Sequence, residues 1–215
     1  MTTLRIWFTK TNEASYISLL DLQRVMQRSL KRSGLPVWHT MGFNPHIYMT
    51  FACPLPLGQE SLVESVDVKT EQEQPDLEAW KAALSGVMPQ GLEVVRVTKP
   101  NNKADAIAFA RYTVTLPKTF RAGLDQYNAA ESAIALKKSK RGKKEIELKE
   151  FVPSIDYQAE DGLIRFEMQL PAGGDGLNLN PSLWLDYMQE NCGVDATQAG
   201  VFRTALLLKN LENFS

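Results

Sequence analysis

The chain opens on alternation. Leu4-Arg5-Ile6-Trp7-Phe8-Thr9 places apolar and polar side chains at a period close to two, which predicts a half-buried strand. From Ser18 the period lengthens: Leu19, Leu22, Met26 and Leu30 recur every three or four residues, while Arg24, Arg28, Lys31 and Arg32 fall on the opposite side of the same helix. Ser18 stands where an N-cap belongs, Asp21 follows at the positive end of the helix dipole, and Gly34 with Pro36 beyond it closes the element. Short strands are expected over 36–40 and 47–53, flanking a Gly42-Phe43-Asn44-Pro45 turn, and another over 61–69. Pro75 is read as the first residue of a second helix carried by Leu77, Trp80, Leu84 and Val87 and ended by Pro89 and Gly91, with a closing strand over 92–98.

That order, strand, helix, two strands, helix, strand, is the ferredoxin-like pattern of two helices on one face of an antiparallel sheet. Lys99-Pro100-Asn101-Asn102-Lys103 is a polar break, after which the order recurs. Strands are expected over 109–116, 163–170 and 201–208, and helices over 123–134 and 181–189, with Ala172-Gly173-Gly174-Asp175-Gly176 as a flexible connector. The fold class expected is α+β, with two ferredoxin-like lobes in tandem, at 1–100 and 104–215. The likeness of the halves lies in element order alone.

Composition narrows the function. With 215 residues, 44% of them hydrophobic and 23% charged, the chain is of ordinary globular make-up. No run reaches the roughly 18 to 20 apolar residues a bilayer helix needs, and the start lacks the pattern of a secretory leader, so a cytoplasmic protein with no membrane partner is expected. Cys53 and Cys192 are too few for a disulfide framework, and with His39 and His46 as the only histidines a four-ligand zinc site or an iron–sulfur cluster lacks material. No phosphate loop or nucleophile elbow occurs. The expectation is therefore no cofactor and no catalytic residue of its own.

Net charge is −1, but its distribution is uneven. Lys137, Lys138, Lys140, Arg141, Lys143, Lys144 and Lys149 stand against Glu145 and Glu147, so this segment carries +5 and the rest of the chain −6. Gly142 gives the segment turn character, so Lys140, Arg141, Lys143 and Lys144 are expected at a hairpin tip, where phosphates are reached. The like charges on the helix face, Arg24 and Arg28 foremost, repel one another and suit a polyanion, although a merely solvated face is the plain alternative. Pro54-Leu55-Pro56-Leu57-Gly58 is stiff. It is either a rigid crossover or, with Gly42, Phe43, Asn44, Pro45 and His46, the wall of a binding cleft that includes Pro54, Pro56 and Gly58. Asp21, Asn44 and Glu60 are the polar groups an enzyme would gather.

Three strings, Tyr16-Ile17-Ser18 with Leu20-Asp21-Leu22, Gly42-Phe43-Asn44-Pro45-His46, and Pro54-Leu55-Pro56-Leu57-Gly58 with Glu60-Ser61, resemble the radical-SAM-linked family of bacterial proteins. The likeness continues through Lys143-Lys144-Glu145-Ile146 to Arg203-Thr204-Ala205-Leu206, with Leu19 standing where that family has a histidine and Ile47-Tyr48 where it has Pro-Arg. The resemblance implies a radical SAM protein as partner, since this chain lacks the three cysteines such chemistry requires, and adds Tyr16, Ser18, Glu60 and Arg203 to the site. The function expected is an accessory that binds RNA or presents a substrate. An enzyme built on Asp21, Asn44 and Glu60, or a pure protein-interaction module, stands as the alternative.

Overall fold

The computed structural model describes residues 1–139, 142–173 and 177–215. It is a mixed α+β protein whose described residues form four α-helices and mostly antiparallel strands. The chain divides into two compact units, Met1–Ala106 with Phe214–Ser215, and Ile107–Asn213. No helix of the described residues is long and apolar enough to cross a membrane.

Unit 1 contains β1 (Thr2–Lys10), α1 (Leu19–Arg32), β2 (Met49–Ala52), β3 (Glu60–Thr70), α2 (Leu77–Ser85) and β4 (Val94–Thr98). Its strands lie in the order β4-β1-β3-β2, every neighbour antiparallel. The register pairs Leu4 with Val68 and Ile6 with Val66, which puts one apolar face of the sheet under Leu22, Met26 and Leu30 of α1 and Trp80 and Leu84 of α2. Each of those side chains contributes roughly 1.5–3 kcal/mol by leaving water. On the other face, fully buried Arg5 donates two hydrogen bonds to Asp67, at 2.7 and 2.9 Å, and one each to the carbonyls of Asn102 and Ser215. The Phe214 ring lies 4.2 Å from the guanidinium. Every guanidinium nitrogen thus has a partner, which is what lets an arginine sit out of water.

α1 forms where its local signals place it. Ser18 Oγ accepts from the Asp21 N–H at 3.1 Å, and Gly34 takes φ 70 just past the end, where a side chain would be strained. α2 departs from expectation. Asp76 caps it, its carboxylate accepting from the Glu78 and Ala79 N–H groups at 3.0 Å each, so Pro75 lies before the helix; Gly86, well short of Gly91, ends it. A carboxylate that satisfies two orphan donors outcompetes a proline that satisfies none.

Unit 2 contains β5 (Phe109–Pro117), α3 (Arg121–Ala129), β6 (Ile134–Ser139), β7 (Gly142–Glu147), β8 (Tyr157–Glu160), β9 (Leu163–Pro171), α4 (Pro181–Asn191) and β10 (Gly200–Leu207). Its main strands run β10-β5-β9-β8, again antiparallel. β5 alternates buried and half-buried residues along its length, and Trp184 of α4 meets Phe166 and Tyr127 edge-on at 5.5 and 5.7 Å. Asn180 caps α4, with Pro181 beginning it. The helix expected over 123–134 stops at Ala129, and Ile134 instead opens β6, which pairs with β7 as a two-stranded ribbon. Of the connector expected over 172–176, Ala172 is held by a bridge to Asn178 and by its N–H donating to the Ala108 carbonyl, while residues 174–176 lie outside the described residues.

Candidate functional site

α1 presents one charged side. Arg24 is paired with Asp21 at 3.0 Å, both exposed. Hydrogen bonds from Ser18 and Arg24 hold the Asp21 carboxyl below its ordinary range. Arg28, Lys31 and Arg32 are exposed and take part in none of the described ion pairs.

After α1 the chain reaches β3 at Val37, which bridges Thr70, and Trp38, whose N–H donates to the Lys69 carbonyl at 2.8 Å. Pairing with β3 resumes only at Met49, opposite Val68. Residues 39–48 are therefore looped out of the edge strand as a small hairpin. Thr40 N–H donates to the His46 carbonyl, His46 N–H donates to Thr40 Oγ1, and His39 bridges Ile47. Ile47 alone of this segment is buried, a plug in the core of unit 1. At the neck, Trp38 and Tyr48 meet edge-on at 6.3 Å, with Lys69 Nζ 5.5 and 4.5 Å from their rings. Gly42 takes φ 130 at the tip, and Met41 and Phe43 are 89% and 106% exposed.

The proline loop goes elsewhere. The Gly58 N–H donates to the Ser15 carbonyl at 3.0 Å, and the Asn12 N–H donates to Glu60 Oε1. A Cβ at Gly58 would lie 3.6 Å from the Tyr16 ring. Gly58 and Glu60 thus fasten the end of the proline loop to the short 3-10 turn Asn12–Tyr16, leaving Tyr16 and Leu57 exposed. Tyr16, Gly58 and Glu60 are brought together; 42–46 closes instead on Thr40, and no described hydrogen bond joins the two loops. Nor does one join Asp21, Asn44 and Glu60, each of which has its own local partner. Among the described residues no group of three or more His, Cys, Asp and Glu is placed to hold a metal.

In unit 2 the β6–β7 register sets Lys137 opposite Lys144 and Lys138 opposite Lys143. Since cross-strand partners share a face, each face of the ribbon carries one like-charged pair, which destabilises it. Lys143 and Lys144 are exposed; Lys140 and Arg141 lie outside the described residues. The sequence profile of a bacterial family, described as uncharacterized protein conserved in bacteria (DUF2344), matches residues 3–181. The chain belongs to that family. The matched residues include the hairpin of unit 1 and the ribbon of unit 2, and leave out β10 with Arg203. No curated protein matches the chain.

Further placements in this member of the DUF2344 family were not legible beforehand. Lys149, counted above with the basic run, turns inward: its Nζ donates to the Tyr127 and Pro153 carbonyls at 2.6 and 3.0 Å and lies 4.1 Å from the Tyr127 ring, and burial lowers its pKa. Lys137 Nζ donates to the Asn178 carbonyl. Glu147 accepts from Ser132 Oγ and from the Ala133 and Lys149 N–H groups, which holds its carboxyl below the ordinary range. Arg203 is fully buried on β10, opposite Tyr112. The neck of the unit 1 hairpin, Trp38, Tyr48 and Lys69, was missed because its members stand ten and more residues apart; only their residue types, two aromatics and a cation, hint at it.

Proposed function

We propose that this chain is a non-catalytic accessory that binds RNA and presents it, or a substrate carried on it, to a radical SAM enzyme. The observation that carries the reading is the doubled lysine register of the β6–β7 ribbon, with Lys138, Lys143 and Lys144 reaching solvent. Two like-charged pairs cost the isolated ribbon stability, and a polyanion removes that cost by neutralising them. The exposed Arg28, Lys31 and Arg32 of α1 add to it. The β4-β1-β3-β2 and β10-β5-β9-β8 orders, each with two helices interposed along the chain, support reading both units as ferredoxin-like lobes, an architecture compatible with this role. The enzyme as partner rests on the three motif strings.

The test is filter binding of single-stranded RNA over a series of salt concentrations. Affinity is expected to fall steeply with salt, and Lys143→Glu with Lys144→Glu to lower the log–log slope by about 1.4 or more, two phosphate contacts at roughly 0.7 each. A flat salt response overturns the reading. A second reading, a pure protein-interaction module, is favoured by Tyr16 and Leu57, 75% and 62% exposed around the docked proline loop. It predicts a complex with the enzyme that survives high salt and nuclease and is lost on Leu57→Asp.

A further inference from the structure

The unit 1 hairpin is unexplained by a role confined to phosphate contacts. It interrupts an edge strand, keeps Ile47 in the core as an anchor, and clamps its neck with two rings and a lysine, yet the result is to hold Phe43 and Met41 in water. Exposing one large apolar side chain is ordinary; building a braced support for it is not. The charge around it decides what such a support faces. From residue 22 to residue 59 the chain contains no Asp or Glu, while carrying Arg24, Arg28, Lys31 and Arg32. The five residues from Arg32 to Val37 span at most about 18 Å, so the cationic end of α1 stands near the start of the hairpin. A basic segment with no acid of its own beside a fully exposed aromatic ring suits a strand of phosphates with bases, because every base offers a π-face and stacking needs no sequence. A protein pocket would meet Phe43 as well, but gives no reason for the absence of acids over 38 residues.

We infer that the 39–48 hairpin is a stacking finger: Phe43 stacks on an unpaired base of a single-stranded nucleic acid whose phosphates run along Arg28, Lys31 and Arg32. This rests on the RNA reading and adds to it a second contact, in unit 1, of a different chemical kind. Phosphate contacts weaken with salt because they release counterions, whereas a stack does not. The two are therefore separable by experiment.

The probe is a short oligouridine carrying one 2-aminopurine, titrated into wild type, Phe43→Ala, Phe43→Trp, the Lys143→Glu/Lys144→Glu double variant and, as an exposed apolar side chain with no assigned role, Leu62→Ala, with folding checked by circular dichroism. Wild type is expected to quench the 2-aminopurine. Phe43→Ala should lose that quench and bind on the order of 5- to 150-fold more weakly with an unchanged salt slope, Phe43→Trp should keep both, and Leu62→Ala should match wild type. The lysine double variant should do the converse, lowering the slope while the quench persists at saturation. If Phe43→Ala binds and quenches like wild type, the finger is overturned and the RNA reading stands; Phe43 then suits a protein pocket. If wild type binds no strand even at low salt, the RNA reading and the finger fall together. A deoxy strand bound equally well keeps the finger and widens its ligand to any single strand; one bound more weakly confines it to RNA.

Discussion

Units 1 and 2 share a frame and differ in one slot. In both, the strand order along the sheet is last, first, third, second, counting the main strands of each unit, and in both the connection from the first helix to the second strand is enlarged. In unit 1 that slot holds the 39–48 hairpin, which has no Lys or Arg and carries Met41 and Phe43; in unit 2 it holds the β6–β7 ribbon, which carries four described lysines. A connection can grow there because its two ends stay fixed by sheet and helix while the added backbone satisfies itself in a hairpin. The difference teaches that one strand order tolerates enlarged connections of opposite make-up, apolar and exposed in one unit and cationic in the other.

The largest effects expected are those that break one frame. Asp67→Ala leaves the fully buried Arg5 guanidinium without its carboxylate; with two carbonyls still accepting, the cost is placed at the lower end for a broken buried pair, about 3 kcal/mol. The counterpart in unit 2 is Gly123→Ala. Its Cβ would stand 2.5 Å from the Cys192 carbonyl oxygen and 2.8 Å from Val194 Cγ2, so α3 must move off the end of α4 at a cost of roughly 3 kcal/mol. Hydrogen exchange checks both: protection should fall first in β1 and β3 for Asp67→Ala and in α3 and α4 for Gly123→Ala. Equal loss throughout the chain for either variant would break the division into two units.

A smaller effect tests how the ribbon is tied to its frame. Glu147 has a folded pKa below its ordinary value of 4.5, from the hydrogen bonds of Ser132, Ala133 and Lys149. A lowered carboxyl binds fewer protons folded than unfolded, so its stabilisation is complete above the ordinary value and is lost as pH falls through the folded value. Urea midpoints measured from pH 7 down to pH 3 should therefore fall for wild type below about pH 4.5. Glu147→Gln, which keeps an acceptor but cannot titrate, should start roughly 1 kcal/mol lower at pH 7 and decline less steeply. Parallel curves for the two proteins would remove Glu147 as the tie.

How far each region was legible follows from how local its signals are. α1 was readable because Ser18, the three- and four-residue spacing of Leu22, Met26 and Leu30, and Gly34 all act within a turn or two. The repeated element order was readable for the same reason, although β8 was missed: Gln158, Ala159 and Glu160 are all exposed on an edge, so no alternation marks them. The ribbon was half seen. Its charge and its Gly142 turn announced a hairpin tip, but among its described residues only Ala135 and Ile146 are buried, too few to write a strand pattern. Lys149 looked like its neighbours in the sequence, and only the carbonyls of Tyr127 and Pro153, brought near by the fold, turn it inward. Phe43 was named as part of a cleft wall; what the sequence could not carry is that the segment leaves the edge strand altogether, since that depends on Trp38 and Met49 both pairing with β3.

The smallest effect is also the one that separates stability from function most sharply. Lys143→Glu sets a carboxylate opposite Lys138 in place of an ammonium, converting a repulsive cross-strand pair into an attractive one on an exposed face. Unit 2 should gain a few tenths of a kcal/mol, at most about 1, with the gain shrinking in high salt. The same change should weaken RNA binding and reduce its salt slope, since one phosphate contact is replaced by a repulsion. A residue selected for the frame would lose stability when replaced; a residue kept for a polyanion gains stability and loses affinity. If Lys143→Glu instead destabilises unit 2 while leaving RNA affinity untouched, the ribbon belongs to the frame, and the contrast between the two enlarged connections loses its cationic half.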